Sequence, residues 1–248
     1  MRALLKIAVV QSKLFLREPA AFFFTLVFPL LIIVMFGAVF GNTPDPEFNA
    51  QFGFIDYETP ALTAIIIATI ALMGIPVETA ASREKKILRR YRTAPINPAT
   101  YLSATILVYF VMALVGMVLT MLAARLLFGL RFGGNWVSVT AAFTLSALAF
   151  FSIGYLIASV ASTSRIAQTV GQILFFPMLF LSGAMLPFEM MPETVQRVSL
   201  ASPLTHSVKL LQNLWFGGAW SESLVQVAVL VATLIVGVSL SGRTFRWE

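Results

Sequence analysis

The sequence predicts an all-α integral membrane protein with six transmembrane helices. Three observations carry this reading. The chain of 248 residues is 58% hydrophobic and only 11% charged, with a mean hydropathy of +0.88. A soluble domain carries about 25% charged residues, so this chain has too few polar groups to cover its surface in water. Its charges leave long intervals free, at 19–44, 59–77, 93–124, 132–164, 166–188 and 223–242. Each holds one helical crossing, which takes about 20 apolar residues. The apolar runs are continuous rather than alternating, which disfavours a closed β-barrel.

The spans are expected at roughly 21–41, 60–80, 101–125, 137–161, 168–187 and 224–242, in a single domain covering residues 1–248. The first is too long for a cleaved signal, and no small-x-small site follows it. Before it, Leu4, Leu5, Ile7, Ala8, Val9 and Leu14 alternate with Lys6, Lys13 and Arg17. That pattern suits a helix lying in the membrane interface. Pro19 suits a first helical turn, and Pro29 in the interior implies a kink. Gly37 and Gly41 form a small-xxx-small pair that permits close helix approach. Residues 42–57 read as turns.

Between the second and third spans lies Ala81 to Thr100, with Arg83, Lys85, Lys86, Arg89, Arg90 and Arg92 and one acid, Glu84. As a helix it would place Ile87, Leu88 and Tyr91 on one face and Arg83, Lys86 and Arg90 on the other. Pro95 and Pro98 would stop it. Two roles fit: a topology signal resting on acidic head groups, or a docking helix for a cytoplasmic partner. With the N-terminus inside, only Arg125, Arg131, Arg197 and Lys209 remain outside, while Asp45, Glu47, Asp56, Glu58, Glu189, Glu193 and Glu222 fall outside. The basic-residue bias therefore puts both termini in the cytoplasm.

The outer segment from Phe188 to Ser223 is too polar to span, yet Val195 and Val198 stand at i, i+3. Leu204, Val208, Leu211 and Trp215 stand at i, i+4, i+7, i+11. With Pro187, Pro192 and Pro203 as breaks, it reads as two amphipathic helices that dip into the outer leaflet or cap the bundle.

Several chemistries lack their residues. There is no cysteine, one histidine and no clustered carboxylate set, so neither thiol catalysis nor a metal site is expected. No GxxxxGK(S/T), HExxH or GxSxG motif occurs, so neither nucleotide binding by a phosphate loop nor a familiar hydrolase is supported. His206, without an oriented partner, reads as a packing residue. Glu78 is the one acid placed near a span interior, where it can snorkel or pair with Arg83 or Lys85. Phe24, Phe28, Phe175, Phe176 and Phe180, with Met73, either pack between helices or line a path for an apolar substrate. The basic balance belongs to the cytoplasmic fringe of a membrane protein, so nucleic acid is not an expected partner.

Three further stretches bear a resemblance. Arg17-Glu18-Pro19 precedes the first span, which contains Phe28-Pro29. The segment from Arg83 to Pro95 reads R-E-K-K-I-L-R-R-Y-R-T-A-P. Leu181 to Pro187 reads L-S-G-A-M-L-P, followed by Met191-Pro192 and Ser202-Pro203-Leu204-Thr205. Over nearly its full length the sequence resembles the permease subunits of type-2 ABC exporters, in the branch of daunorubicin-type drug exporters and Nod-factor exporters. The second stretch is similar to the family's coupling-helix motif, E-R-E-x-G-T/I-L, then basic residues, then T-P. Ser82 stands where its first acid is usual, and Lys86 where its glycine is usual.

The resemblance implies a half-transporter with no catalysis of its own. Two copies would face each other, most simply as a homodimer, above two separate ABC ATPase subunits that bind ATP and Mg; this chain would bind no cofactor. Arg83, Glu84, Lys86, Ile87, Leu88, Arg89, Arg90, Tyr91 and Arg92 would then couple to the ATPase. Gly37 and Gly41 on the first span and Gly171 and Gly183 on the fifth would pack the dimer. The cargo would be a hydrophobic or amphipathic drug, lipid or glycolipid, carried across the cell membrane. A stand-alone secondary carrier and a membrane anchor that recruits a cytoplasmic protein are the competing readings.

Overall fold

The structure, a computed structural model, describes residues 9, 12–13, 19–44, 51–86, 98–185, 188 and 191–244. Eight helices organise them: α1 (residues 19–40), α2 (Phe54–Glu84), α3 (Pro98–Phe128), α4 (Trp136–Val160), α5 (Ser164–Leu181), α6 (Glu193–Ser199), α7 (Pro203–Trp215) and α8 (Leu224–Thr244). Six of them, α1 to α5 and α8, are long and apolar enough to cross a membrane. No strand forms among the described residues. The expected interfacial helix before the first span lies almost wholly outside the described residues.

The architecture is built around α2. Its most apolar stretch is 94% buried inside the subunit, against 17–67% for the other five spans. Small residues make this possible: Ala61, Ala64, Ala68 and Ala71 are fully buried and let neighbouring helices approach. α1, α3, α4, α5 and α7 all pack on it, and α8 packs along α4. There Gly237 meets Ser152, whose hydroxyl donates to Ala149 O at 2.6 Å and Thr233 O at 3.3 Å.

A π-turn over Phe23–Val27 precedes Pro29, and α2 repeats the arrangement with a π-turn over Ile70–Gly74 before Pro76. A proline lacks an N–H and its ring crowds the carbonyl four residues back; a widened turn just before it accommodates both. The α2 π-turn is gripped from two sides. A Cβ on Gly154 of α4 would strike Ala71 O, and one on Gly171 of α5 would strike Leu72 O. Two helices thus meet the same turn backbone to backbone.

Three expectations are corrected. α2 starts at Phe54, so the end of the stretch read as turns is helical, and Asp56 and Glu58 are buried rather than in an outer loop. Asp56 is fully satisfied at the helix start. It accepts from Asn42 Nδ2 at 2.9 Å, Gly53 N at 2.8 Å and Arg131 N at 2.7 Å, with Arg131 Nη1 3.6 Å away. Asn42 Oδ1 accepts from Asp56 N, and Trp215 Nε1 donates to Arg131 O. One carboxylate therefore ties the end of α1, the start of α2 and the α3–α4 connection, with α7 joined through Trp215. Glu58, one turn deeper than Gly53-Phe54, has no hydrogen bond to Oε1 among the described residues.

The fifth span ends at Leu181 instead of 187, because Ser182 and Gly183 turn the chain and Gly183 takes φ +84°. The helix pair in the outer segment forms, but its members differ. In α7, Leu204, Val208, Leu211 and Trp215 are buried in the bundle, while Val198 of α6 is 55% exposed. His206 packs beneath, its Nε2 donating to Leu200 O at 2.9 Å. Finally, Gly37 and Gly171 spend their smallness inside the subunit. Gly37 admits the Phe128 ring and Gly171 the Leu72 carbonyl, so close approach there serves α3 and α2.

Candidate coupling site at the Arg83 end of the bundle

α2 runs from the Asp56 end of the bundle to the Arg83 end. Its last segment, Ile75–Glu84, has an apolar side facing α4 and α5 and a polar tip. Val77 and Ala80 pack with Ala161 and Ala167, a small cluster that brings three helix ends close together. Ser82 Oγ donates to Glu78 Oε1 at 3.2 Å, and the charge of Lys85 also acts on this carboxylate.

Above this cluster the two charged residues at the end of α2 reach different helices. Arg83 Nη2 donates to Ala158 O at 2.6 Å and Ala161 O at 2.8 Å, the free carbonyls at the C-terminus of α4. Glu84 Oε2 accepts from Ser164 Oγ at 2.8 Å, in the first turn of α5. Thr163 caps that same turn, its hydroxyl accepting from Ile166 N at 3.2 Å. Both charges have the sign that the helix ends favour, positive at a C-terminus and negative at an N-terminus. Residues 161–163, the connection between α4 and α5, are thereby held at both ends by α2.

The helix stops at Lys85 and Lys86. Lys85 N donates to Ala81 O, Lys86 N donates to Arg83 O, and Lys86 takes φ +55°. That left-handed conformation favours glycine, and position 86 is where the coupling motif has one. Lys86→Gly is therefore expected to raise stability by about 1 kcal/mol. A thermal melt of the detergent-solubilised variant checks this; a lower melting temperature would contradict it.

The predicted site residues fall as follows. Arg83 is half-buried and reaches α4, Glu84 is exposed and accepts from Ser164 of α5, and Lys86 is exposed. Ile87, Leu88, Arg89, Arg90, Tyr91 and Arg92 lie outside the described residues. The aromatic set does not form one surface. Phe24 and Phe28 pair on α1 with ring centroids 5.6 Å apart, Met73 and Phe175 are buried in the core, and Phe176 and Phe180 are exposed on α5. Of the four glycines, Gly41 and Gly183 adopt positive φ at helix ends, and Gly37 and Gly171 contact the chain's own helices.

One face of α5 was not singled out from the sequence. Arg165, Gln168 and Thr169 are exposed, Gln172 is half-buried, and the same side continues through Ile173, Phe176 and Phe180. The helix is the least apolar of the six candidate spans, and only 22% of it is buried in the subunit. The signal was present in its glutamines, but a composition count does not say which face they occupy.

Comparison with known proteins completes the description. Residues 3–216 match the ABC-2 type transporter family. The daunorubicin resistance ABC transporter permease protein DrrB1 of Streptomyces coeruleorubidus is 25% identical over 231 residues, 89% of this chain and 76% of that protein. The probable multidrug ABC transporter permease YbhS of Escherichia coli is 23% identical over 184 residues, 73% of this chain but only 49% of its own length. Nodulation protein J of Rhizobium leguminosarum bv. viciae is 28% identical over 102 residues, 41% of this chain and 39% of that protein.

Proposed function

Because the chain belongs to the ABC-2 type transporter family, we propose that it is the membrane-spanning half of an ATP-driven exporter. A permease of this family does not itself catalyse; the ATPase is a separate subunit, which would bind ATP and Mg. Two ATPase copies would sit beneath two copies of this chain in the cell membrane, with both termini in the cytoplasm. The cargo would be a hydrophobic or amphipathic molecule such as a drug, lipid or glycolipid. The names of the drug-transporting relatives favour a drug.

The observation that carries this reading is the exposed side of α5. Polar groups within a span are costly against lipid and normally face protein or a water-filled path. Gln168 and Gln172 therefore call for a second copy or a translocation path, and Ile173, Phe176 and Phe180 extend the same side with apolar surface. An amphipathic cargo matches a wall that changes from polar to apolar along its length.

Co-expression of the chain with a candidate ABC ATPase, and reconstitution of the purified pair, tests this. The expected result is ATP-dependent daunorubicin uptake into inside-out vesicles that vanadate abolishes and a protonophore spares. Uptake that ignores ATP and collapses with the protonophore would identify a secondary carrier. An ATPase bound without any uptake would leave a membrane anchor. The chain has no cysteine, so Phe176→Cys is clean for cross-linking. It is expected to link two copies in the membrane, whereas Val236→Cys, on an exposed part of α8, is expected to stay monomeric. The reverse pattern would move the dimer interface away from α5.

A further inference from the structure

We propose that Glu58 anchors the protonated amine of a cationic amphipathic cargo at the Asp56 end of the bundle. The proposal rests on the exporter reading and narrows its cargo to molecules that carry a positive charge.

The two acids at the start of α2 differ in what surrounds them. Asp56 is matched by Asn42, Gly53 and Arg131. Glu58 is 6% exposed, yet among the described residues it forms no ion pair and its Oε1 has no hydrogen bond. The cations on the elements around the start of α2 have other contacts. Arg131 Nη1 is 3.6 Å from Asp56 Oδ2, Arg125 donates to Leu130 O at 2.7 Å, and Lys209 Nζ stands 3.2 Å over the Phe188 ring. A carboxylate removed from water is costly unless a cation matches it, and an ionisable group within a span marks a ligand or a path. α4 and α7, which pack on α2, add buried groups of the same kind. The hydroxyls of Ser146 and Ser207 and the Nδ1 of His206 have no hydrogen bond among the described residues. Because His206 Nε2 donates to Leu200 O, its Nδ1 is an acceptor. The carboxylate only accepts, and each hydroxyl can accept. None of these groups bonds another, so the serines do not offset the Glu58 charge. An ammonium group, which has donors and no acceptor, complements them. A metal ion is a poorer match, since no three His, Asp or Glu side chains come together among the described residues. The organic body of the cation has its own surface at this end. Phe216 packs against Tyr57 and Phe52 with ring centroids 4.4 and 4.6 Å apart, and aromatic faces attract ammonium groups.

The full-length chain in phosphatidylcholine vesicles, with and without the candidate ATPase, is used for the test. The probes are daunorubicin, whose amine is charged, and N-acetyldaunorubicin, which keeps the ring system and loses the charge. Quenching of the drug's fluorescence gives the dissociation constant of each. Wild type is expected to bind daunorubicin about tenfold more tightly than the neutral form, the effect of one charged hydrogen bond. Glu58→Gln is expected to abolish this preference by weakening daunorubicin alone. Glu193→Gln, at an exposed acid of α6, is expected to keep it, which separates the site from general attraction by outer acids. Where Glu58→Gln fails to fold, Glu58→Asp takes its place and is expected to weaken daunorubicin while leaving the neutral form unchanged. No binding or equal affinities in wild type, an unaltered preference in Glu58→Gln, or equal weakening of both probes in Glu58→Asp overturns the site and leaves the exporter reading standing. A preference that depends on Glu58 in a chain without ATP-driven uptake would keep the cation site and remove the exporter reading.

Discussion

Asp56→Ala is expected to lower the melting temperature of the solubilised protein by about 10 °C or more, the largest single loss at the Asp56 end. The carboxylate is fully buried and accepts from Asn42 Nδ2, Gly53 N and Arg131 N. Its removal strands these donors and leaves Arg131 without its counter-charge. Each buried donor left unmatched costs about 1–3 kcal/mol, and each kcal/mol corresponds to about 2–4 °C in a chain of this size. Asp56→Asn keeps one acceptor oxygen but presents an NH2 group where the second stood. Its expected cost is about 1–3 kcal/mol, that of a buried donor left unmatched. Fluorescence-detected gel filtration after a heat step measures both. Equal melting temperatures for wild type and Asp56→Ala would show that the network contributes nothing to the fold.

The same residue shows how the sequence was readable and where it was not. Charge-free intervals located six spans because few charges enter lipid, and six helices of the required length are found. The rule misplaced the start of α2 because it treats every acid as solvated. Asp56 is buried by partners at Asn42 and Arg131 that stand 14 and 75 residues away, a distance that local pattern does not reveal. Arg83 was recognisable as a functional charge, but its acceptors are the backbone carbonyls of Ala158 and Ala161. Carbonyls carry no side-chain signature, so the inward direction was hidden. Pro29 announced an irregularity, while Pro76, which follows the second π-turn, was not singled out. Gly171 and Gly37 are read from the sequence as contacts between two copies. Small residues state that something comes near without stating which helix it belongs to, and here the neighbours are Leu72 and Phe128 of the same chain.

Gly171→Ala carries the second large expected effect, loss of about 1–3 kcal/mol from a single methyl group. In an ordinary helix this exchange stabilises by up to about 1 kcal/mol, so the sign itself is diagnostic. At Gly171 the new Cβ would press on Leu72 O, a backbone atom that cannot rotate away as the end of a side chain would. Gly154→Ala presses likewise on Ala71 O from the α4 side. Gly242 in α8 serves as the control, since a Cβ there meets nothing within 4 Å, and Gly242→Ala is expected to be neutral or stabilising. Ala71 and Leu72 are consecutive residues of one π-turn, so a single backbone shift would relieve both intrusions in part. The double variant Gly154→Ala, Gly171→Ala is therefore expected to cost less than the sum of the single ones, by roughly 0.5 kcal/mol or more for contacts that share a backbone element. Strict additivity in thermal melts would mean that α4 and α5 press on the turn independently. A stabilised Gly171→Ala would mean that α5 does not touch α2 there at all.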